Sequence, residues 1–225
     1  FMYYLSFTRK FDSIQVVSDH ESMPEYKLYY FAFRGLAEVS RQLFALAGVD
    51  YENVGLSKEE WVEFKKKTPF GRIPVLEVDG KLIAQSLTIA RYIASQHGLA
   101  GKSALESAWA DSIADEWRDF HGNFKKYWYL KIGVRPGDIE GTRVEYGIPA
   151  RDKFFPLIVK QLKETGTGFL VGDAVTWVDV LIANTVDEVE EKEPGFLENY
   201  PEVVQHKQRI HSIPALKKWI DTRPQ

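Results

Sequence analysis

The stretch PFGRIPVLEVDGKLIAQS, residues 69 to 86, decides the reading of this chain. Ile73-Pro74 leads into a short apolar strand over Val75–Val78, Asp79-Gly80 turns the chain, and Lys81–Ala84 returns it as a second strand. Gln85-Ser86 then opens a helix that runs to His97 and stops at Gly98. The proline holds Ile73 in an extended conformation, with the Ile73 N–H and C=O free to pair with an added strand. A tight turn of this kind favours a cis Ile73–Pro74 bond. A free backbone edge at one end and the unpaired N–H groups of a helix N-terminus at the other suit an extended, anionic peptide.

Upstream, Lys27–Phe31 is an aromatic strand following a proline, and Gly35–Ala47 carries Leu36, Val39, Leu43 and Phe44 at helical spacing before Gly48 stops it. Tyr51–Val54 is a second short strand, and Ser57 with Glu60 three residues on makes a capping box for a charged helix. The order is βαβαββα, a thioredoxin-like layout with a parallel βαβ unit ahead of a hairpin. Beyond Gly98 strand signals vanish. Leu105 to Lys131 is one long amphipathic run, a Gly/Pro break at 133–137 precedes a second long segment ending near Thr165, and Thr176–Asp179 caps a helix over Val180–Val189. Pro201 and Pro214 sit at the starts of two last short helices, where a missing N–H costs least. The expected fold is an α+β chain of two domains. Residues 23–98 form the thioredoxin-like unit, 99–104 a linker, and 105–225 an all-helical domain. Residues 1–22 are expected to be an extension outside the fold.

Composition narrows the chemistry. The net charge of −3 and scattered Lys and Arg give no field for nucleic acid or an anionic membrane. No apolar run approaches the roughly 18 residues of a membrane span. Cysteine is absent, so disulfides, thiolate metal sites and a cysteine nucleophile are excluded together, and a cytoplasmic, reducing location is compatible. The five histidines do not fall at ligand spacing, and no metal is expected.

Four elements could bind or react. Ile73 offers its backbone ahead of Pro74, against the alternative of a simple strand-initiating proline. Gln85-Ser86 sits at a helix N-terminus that can take a carboxylate, against ordinary self-capping by a serine. Trp61 and Lys65, four residues apart on one helix face, can hold a second carboxylate, or can be a surface lysine over a half-buried indole. Tyr30 ends the first strand near the positive end of the first helix. There it can donate its hydroxyl hydrogen to a developing anion, or simply pack.

In order and spacing, PEYKLYYFAFRGLAEVSRQLFALAG (24–48), EEWVEFK (59–65), TPFGRIPVLEVDG (68–80), QSLTIARYIA (85–94), VGDAVTW (171–177) and IPALKKWI (213–220) resemble the sigma-class and nematode-type glutathione S-transferases. The resemblance implies a cytosolic homodimeric enzyme that takes glutathione as co-substrate and small hydrophobic electrophiles as partners. It makes Tyr30 the catalytic hydroxyl for the glutathione thiolate. Trp61 and Lys65 would hold the glycyl carboxylate, Arg72 and Ile73 with Pro74 the cysteinyl backbone, and Gln85 and Ser86 the γ-glutamyl carboxylate. Asp119 would reach the γ-glutamyl amine of the partner subunit's glutathione, and Thr176 with Asp179 would be the folding cap. The electrophile pocket would lie between the domains, lined by Phe31, Phe33, Leu36, His121, Lys125 and Tyr129. On this reading the reactive cysteine belongs to the substrate, which reconciles thiol chemistry with a cysteine-free chain.

Two departures from the family pattern stand out. Leu36 occupies the place where many sigma-class relatives carry an arginine near the tyrosine. Lys126 stands where haematopoietic prostaglandin D synthase lines its pocket with tryptophan, and Arg118 interrupts that enzyme's aspartate cluster between Asp115 and Asp119. Prostaglandin D2 synthesis is therefore not expected specifically, though peroxidase or prostaglandin isomerase side activity fits the same thiolate. The competing reading is a non-catalytic carrier of haem or other apolar ligands at the dimer cleft.

Overall fold

The computed structural model describes residues 24–224, so the expected extension over 1–22 lies outside the described residues. The sheet is built from β1 (Tyr26–Phe31), β2 (Glu52–Leu56), β3 (Val75–Val78) and β4 (Lys81–Ala84), in the spatial order β2-β1-β3-β4. β2 runs parallel to β1, while β3 and β4 are antiparallel neighbours. Along β1 the side chains alternate. Tyr26, Leu28 and Tyr30 are buried, whereas Tyr29 turns to the other face and stacks on Phe64, with ring centroids 4.4 Å apart. The buried face packs beneath α1 (Glu38–Ala47), which a 3-10 turn over Gly35–Ala37 introduces, and beneath α3 (Ser86–Gln96). On the other face α2 (Lys58–Phe64) starts with the expected capping box. Ser57 Oγ accepts from the Glu60 N–H at 3.1 Å and Glu60 returns the bond at 2.8 Å.

The helical part begins with α4 (Ala104–Lys131), which enters one residue inside the expected linker. The second long segment is not one helix. A short α5 (Ile139–Thr142) passes through a wide π-helical turn, Arg143–Gly147, into α6 (Ile148–Thr165). Pro149 cannot donate to the Glu145 carbonyl, and the wide turn falls just ahead of it. α7 (Trp177–Lys192), α8 (Pro201–His211) and α9 (Pro214–Thr222) complete the chain.

α7 is buried along most of its length and packs on α1, α3, α4 and α8, so it joins the two parts. Its N-terminus is anchored by Asp179, which is fully buried. Asp179 accepts from the Thr176 N–H (2.8 Å), the Thr176 hydroxyl (2.9 Å) and the Leu170 N–H (2.8 Å), and pairs with His206 Nε2 (2.9 Å). A second buried polar cluster crosses the junction through Glu38. Its carboxylate takes Arg41, Gln42, the Trp219 indole N–H and Arg223, tying α1 to the C-terminal helix. Paired and hydrogen-bonded in this way, the buried charge is tolerated, whereas an unpaired one would not be.

Candidate active site

Tyr30 is 7% exposed at the end of β1, and it opens onto a cleft of about 230 Å³ between the sheet domain and the helices. Its oxygen accepts the Leu36 backbone N–H at 3.3 Å, and no described group takes its own hydrogen, which is left to donate into the cleft. Burial raises the Tyr30 pKa above the usual phenol range. The Leu36 N–H and the Arg41 guanidinium, 5.9 Å from the ring centroid, oppose that rise without reversing it. At neutral pH the group is a protonated donor. Gly35 makes room for it, because a Cβ there would lie 2.7 Å from the Tyr30 hydroxyl and the backbone has φ +45°.

The peptide-like edge is also formed. The Ile73–Pro74 bond is cis, and the Ile73 N–H and C=O make no hydrogen bond to described residues. Lys65 lies across Gly71, where a Cβ would meet its Cε at 3.5 Å, so the helix bearing Trp61 closes on the loop bearing Arg72 and Ile73. Trp61 meets Phe31 edge-on at 6.2 Å and Phe31 stacks on Phe33 at 5.7 Å, carrying the contact back toward Tyr30. Ser86 lines the Tyr30 cleft as the first residue of α3, with Gln85 rather than Ser86 in the capping position. Gln85 adopts φ +77° without a side-chain cap, and the first turn of α3 holds no acidic residue, so its positive end is uncompensated.

Of the expected electrophile pocket, Phe33, Leu36, His121 and Tyr129 line the cleft. Phe31 does not, because it follows Tyr30 on β1 and turns to the other face of the sheet, and Lys125 is exposed on α4. Lys126 does not face the cleft either. Its ammonium sits 4.3 Å from the Tyr146 ring centroid, while Trp128 lines the wall instead. Asp119 is exposed on the outer face of α4, beside Glu116, Asn123 and Lys153. Asp115 is paired with Arg118 at 3.3 Å, and among the described residues no group of three or more His, Asp or Glu could hold a metal. His121 stacks on Trp117 at 4.8 Å, and burial, with the Lys125 charge, pushes its pKa down to about 4.

Two family models cover most of the described chain. They are the glutathione S-transferase N-terminal domain over residues 26–95 and the glutathione S-transferase C-terminal domain over residues 143–223. Probable glutathione S-transferase 9 of Caenorhabditis elegans is 42% identical over 202 residues, which cover 90% of this chain and 98% of that protein. The chain belongs to the glutathione S-transferase family. The solved structure of NaGST1 is 51% identical, with a TM-score of 0.88 over 90% of this chain and 98% of that one. A Nu-class GST from Haemonchus contortus is 47% identical, with a TM-score of 0.83 at the same coverage. The enzyme is a glutathione transferase with glutathione as its co-substrate, and its fold is the thioredoxin-like domain followed by the all-helical one.

Several lining residues of this transferase were not expected. Trp128, Asn184, Thr185 and Glu188 all face the cleft, the last three from α7. Their identity as cleft residues depends on how α7 lies across α1 and α4, and no motif in the chain announces it. The Leu36 departure reads differently in three dimensions. The Leu36 side chain is cleft wall, its backbone N–H bonds Tyr30, and the Arg41 guanidinium, paired with Glu38, lies 5.9 Å from the Tyr30 ring centroid.

Proposed function

We propose that this transferase uses the Tyr30 hydroxyl to stabilise the glutathione thiolate and adds that thiolate to apolar electrophiles seated in the interdomain cleft. The observation that carries it is a buried phenol whose oxygen accepts a backbone N–H, whose own hydrogen has no acceptor among the described residues, and which lines an apolar cleft. A free thiol has a pKa of about 8.5, and lowering it by roughly two units takes about 2.7 kcal/mol of preference for the anion. One charge-assisted hydrogen bond supplies about 1.5–3 kcal/mol of that, and the open N-terminus of α3 adds to it.

In this reading residues 23–98 hold the tripeptide and 105–225 build most of the electrophile wall, joined through 99–104. Trp61 and Lys65 take the glycyl carboxylate, Arg72 and Ile73 ahead of Pro74 pair with the cysteinyl backbone, and Gln85 and Ser86 take the γ-glutamyl end. Asp119, free on the outer face of α4, serves the partner's glutathione in a cytoplasmic homodimer. The Nu-class likeness favours the nematode-type grouping over the sigma class.

The test is conjugation of a chlorinated dinitrobenzene by the parent and by Tyr30→Phe, with glutathione affinity measured by calorimetry. The expected result is a large loss of kcat in Tyr30→Phe with affinity retained. Glutathione binding without turnover by the parent would sink this reading and favour an apolar-ligand carrier. Sedimentation equilibrium with Asp119→Ala tests the dimer and the shared site.

A further inference from the structure

α7 carries five acidic residues, Asp179, Asp187, Glu188, Glu190 and Glu191. Four of them sit within ion-pair distance of a basic side chain. Asp179 pairs with His206, Asp187 with Arg34, Arg223 and Lys207, Glu190 with Lys207, and Glu191 with Arg34 and Lys192. Glu188 pairs with none among the described residues, and it is the acidic side chain that lines the Tyr30 cleft. Its Oε1 accepts from Asn184 Nδ2 at 3.4 Å. Asn184 is oriented for this by Gln42, whose Nε2 donates to Asn184 Oδ1 at 3.0 Å. With Oε1 committed as an acceptor, a proton on the carboxyl belongs on Oε2, which has no described hydrogen-bond partner and is free to donate.

We propose that Glu188 is the proton donor of the electrophile site, protonating the oxyanion formed when the glutathione thiolate adds to an α,β-unsaturated aldehyde or ketone. The proposal rests on the transferase reading above. The thiolate forms a C–S bond at the β-carbon, and the C=C pair shifts to leave negative charge on the carbonyl oxygen. Glu188 Oε2–H gives that oxygen its proton, and the enol returns to the carbonyl through solvent. The carboxylate then recovers from solvent the proton that the thiol released on ionising. The net change is addition of S–H across the double bond.

Burial, reinforced by the Glu38 and Asp187 carboxylates and opposed by the Arg34 guanidinium and the Asn184 amide, pushes Glu188 up to about 7, so it still holds a proton near neutrality. Tyr30 faces it from β1, and His121 and Tyr129 line the same cleft from α4. Tyr30 is engaged with the thiolate, and His121 is neutral at working pH, which leaves Glu188 as the acid.

A chlorinated dinitrobenzene separates the steps, because it expels chloride and needs no proton on oxygen. The readout is the ratio of kcat/KM for a medium-chain 2-enal to that for the aryl halide, across pH, in the parent, Glu188→Gln and Glu188→Asp. Thiolate formation cancels in this ratio. In the parent the ratio falls as pH rises through about 7. In Glu188→Gln it is about 100-fold lower and flat with pH, and Glu188→Asp restores part of both. A pH-independent parent ratio, or a Glu188→Gln variant that loses both activities in equal proportion, overturns the proposal. A parent that turns over neither compound while binding glutathione removes the transferase reading itself. A parent active on the aryl halide whose ratio ignores Glu188 removes only this step.

Discussion

Replacing Gly35 by alanine probes whether the Tyr30 hydroxyl must stand where it does. The new Cβ would lie 2.7 Å from Tyr30 Oη, 2.9 Å from Tyr30 Cε1 and 2.8 Å from Phe33 Cε2. Ordinary contact begins near 3.4 Å, so about 0.7 Å of movement is required. Phe33 is 55% exposed and can swing away, but Tyr30 is 7% exposed and can yield only by shifting its phenol. That shift stretches the 3.3 Å bond from the Leu36 N–H and spoils the aim of the hydroxyl at the thiolate. Losing most of a charge-assisted hydrogen bond of about 1.5–3 kcal/mol lowers kcat by roughly 10- to 150-fold. An alanine at φ +45° also costs about 1–2 kcal/mol of stability. The assay is aryl-halide conjugation at saturating glutathione, beside calorimetric glutathione affinity. On the proposed site that affinity should hold, because the charged ends of the tripeptide would be gripped elsewhere. On a Tyr30→Phe background the same substitution should lower kcat little further, since the two act through one hydroxyl. A Gly35→Ala enzyme with the parent's kcat, or one whose loss adds in full to that of Tyr30→Phe, would refute the reasoning.

Asp179→Ala removes the acceptor for two backbone N–H groups, the Thr176 hydroxyl and His206, all buried. Chemical denaturation should show a loss of about 3–5 kcal/mol, and an unchanged midpoint would contradict the cap's role. Lys65→Ala should raise the glutathione Kd by about tenfold with kcat nearly unchanged, as expected for a group that binds ground and transition states alike. The Glu188 pKa in the fold lies above its ordinary 4.5, so the native state binds more protons between 4.5 and about 7, and this residue's contribution fades as pH rises through that window. Stability of Glu188→Gln relative to the parent should therefore climb by up to about 1.4 kcal/mol per pH unit there, and a parallel pair of profiles would reject the shift. His121 acts with the opposite sign. Its lowered pKa gives stability that is lost as pH falls from 6.5 toward about 4, so the two slopes partly cancel in the parent.

Local chemistry made the proposed glutathione-facing half of the site legible in one dimension. The stretch from Pro69 to Ser86 specifies its own strand, turn, strand and helix start, because each step depends on neighbours within a few residues. The proline restricts Ile73, Asp79-Gly80 reverses the chain, and the hairpin delivers Gln85-Ser86 to a helix N-terminus. The capping boxes at Ser57 and Thr176 were readable for the same reason. Sequence by itself also determined that any thiol chemistry must use a substrate thiol, since the chain has no cysteine. The second half of the site was decided only by tertiary structure. Glu188 and Asn184 stand more than 150 residues along the chain from Tyr30, and they meet its cleft only because α7 packs between α1 and α4. Likewise the pitch of α1 sets Arg41, paired with Glu38, 5.9 Å from the Tyr30 ring centroid, and Phe31 leaves the pocket because it follows Tyr30 on β1 and turns to the other face of the sheet. Backbone rules act over a few residues and can be read from order alone. A cleft between domains is made by the packing of distant faces, which order alone does not reveal.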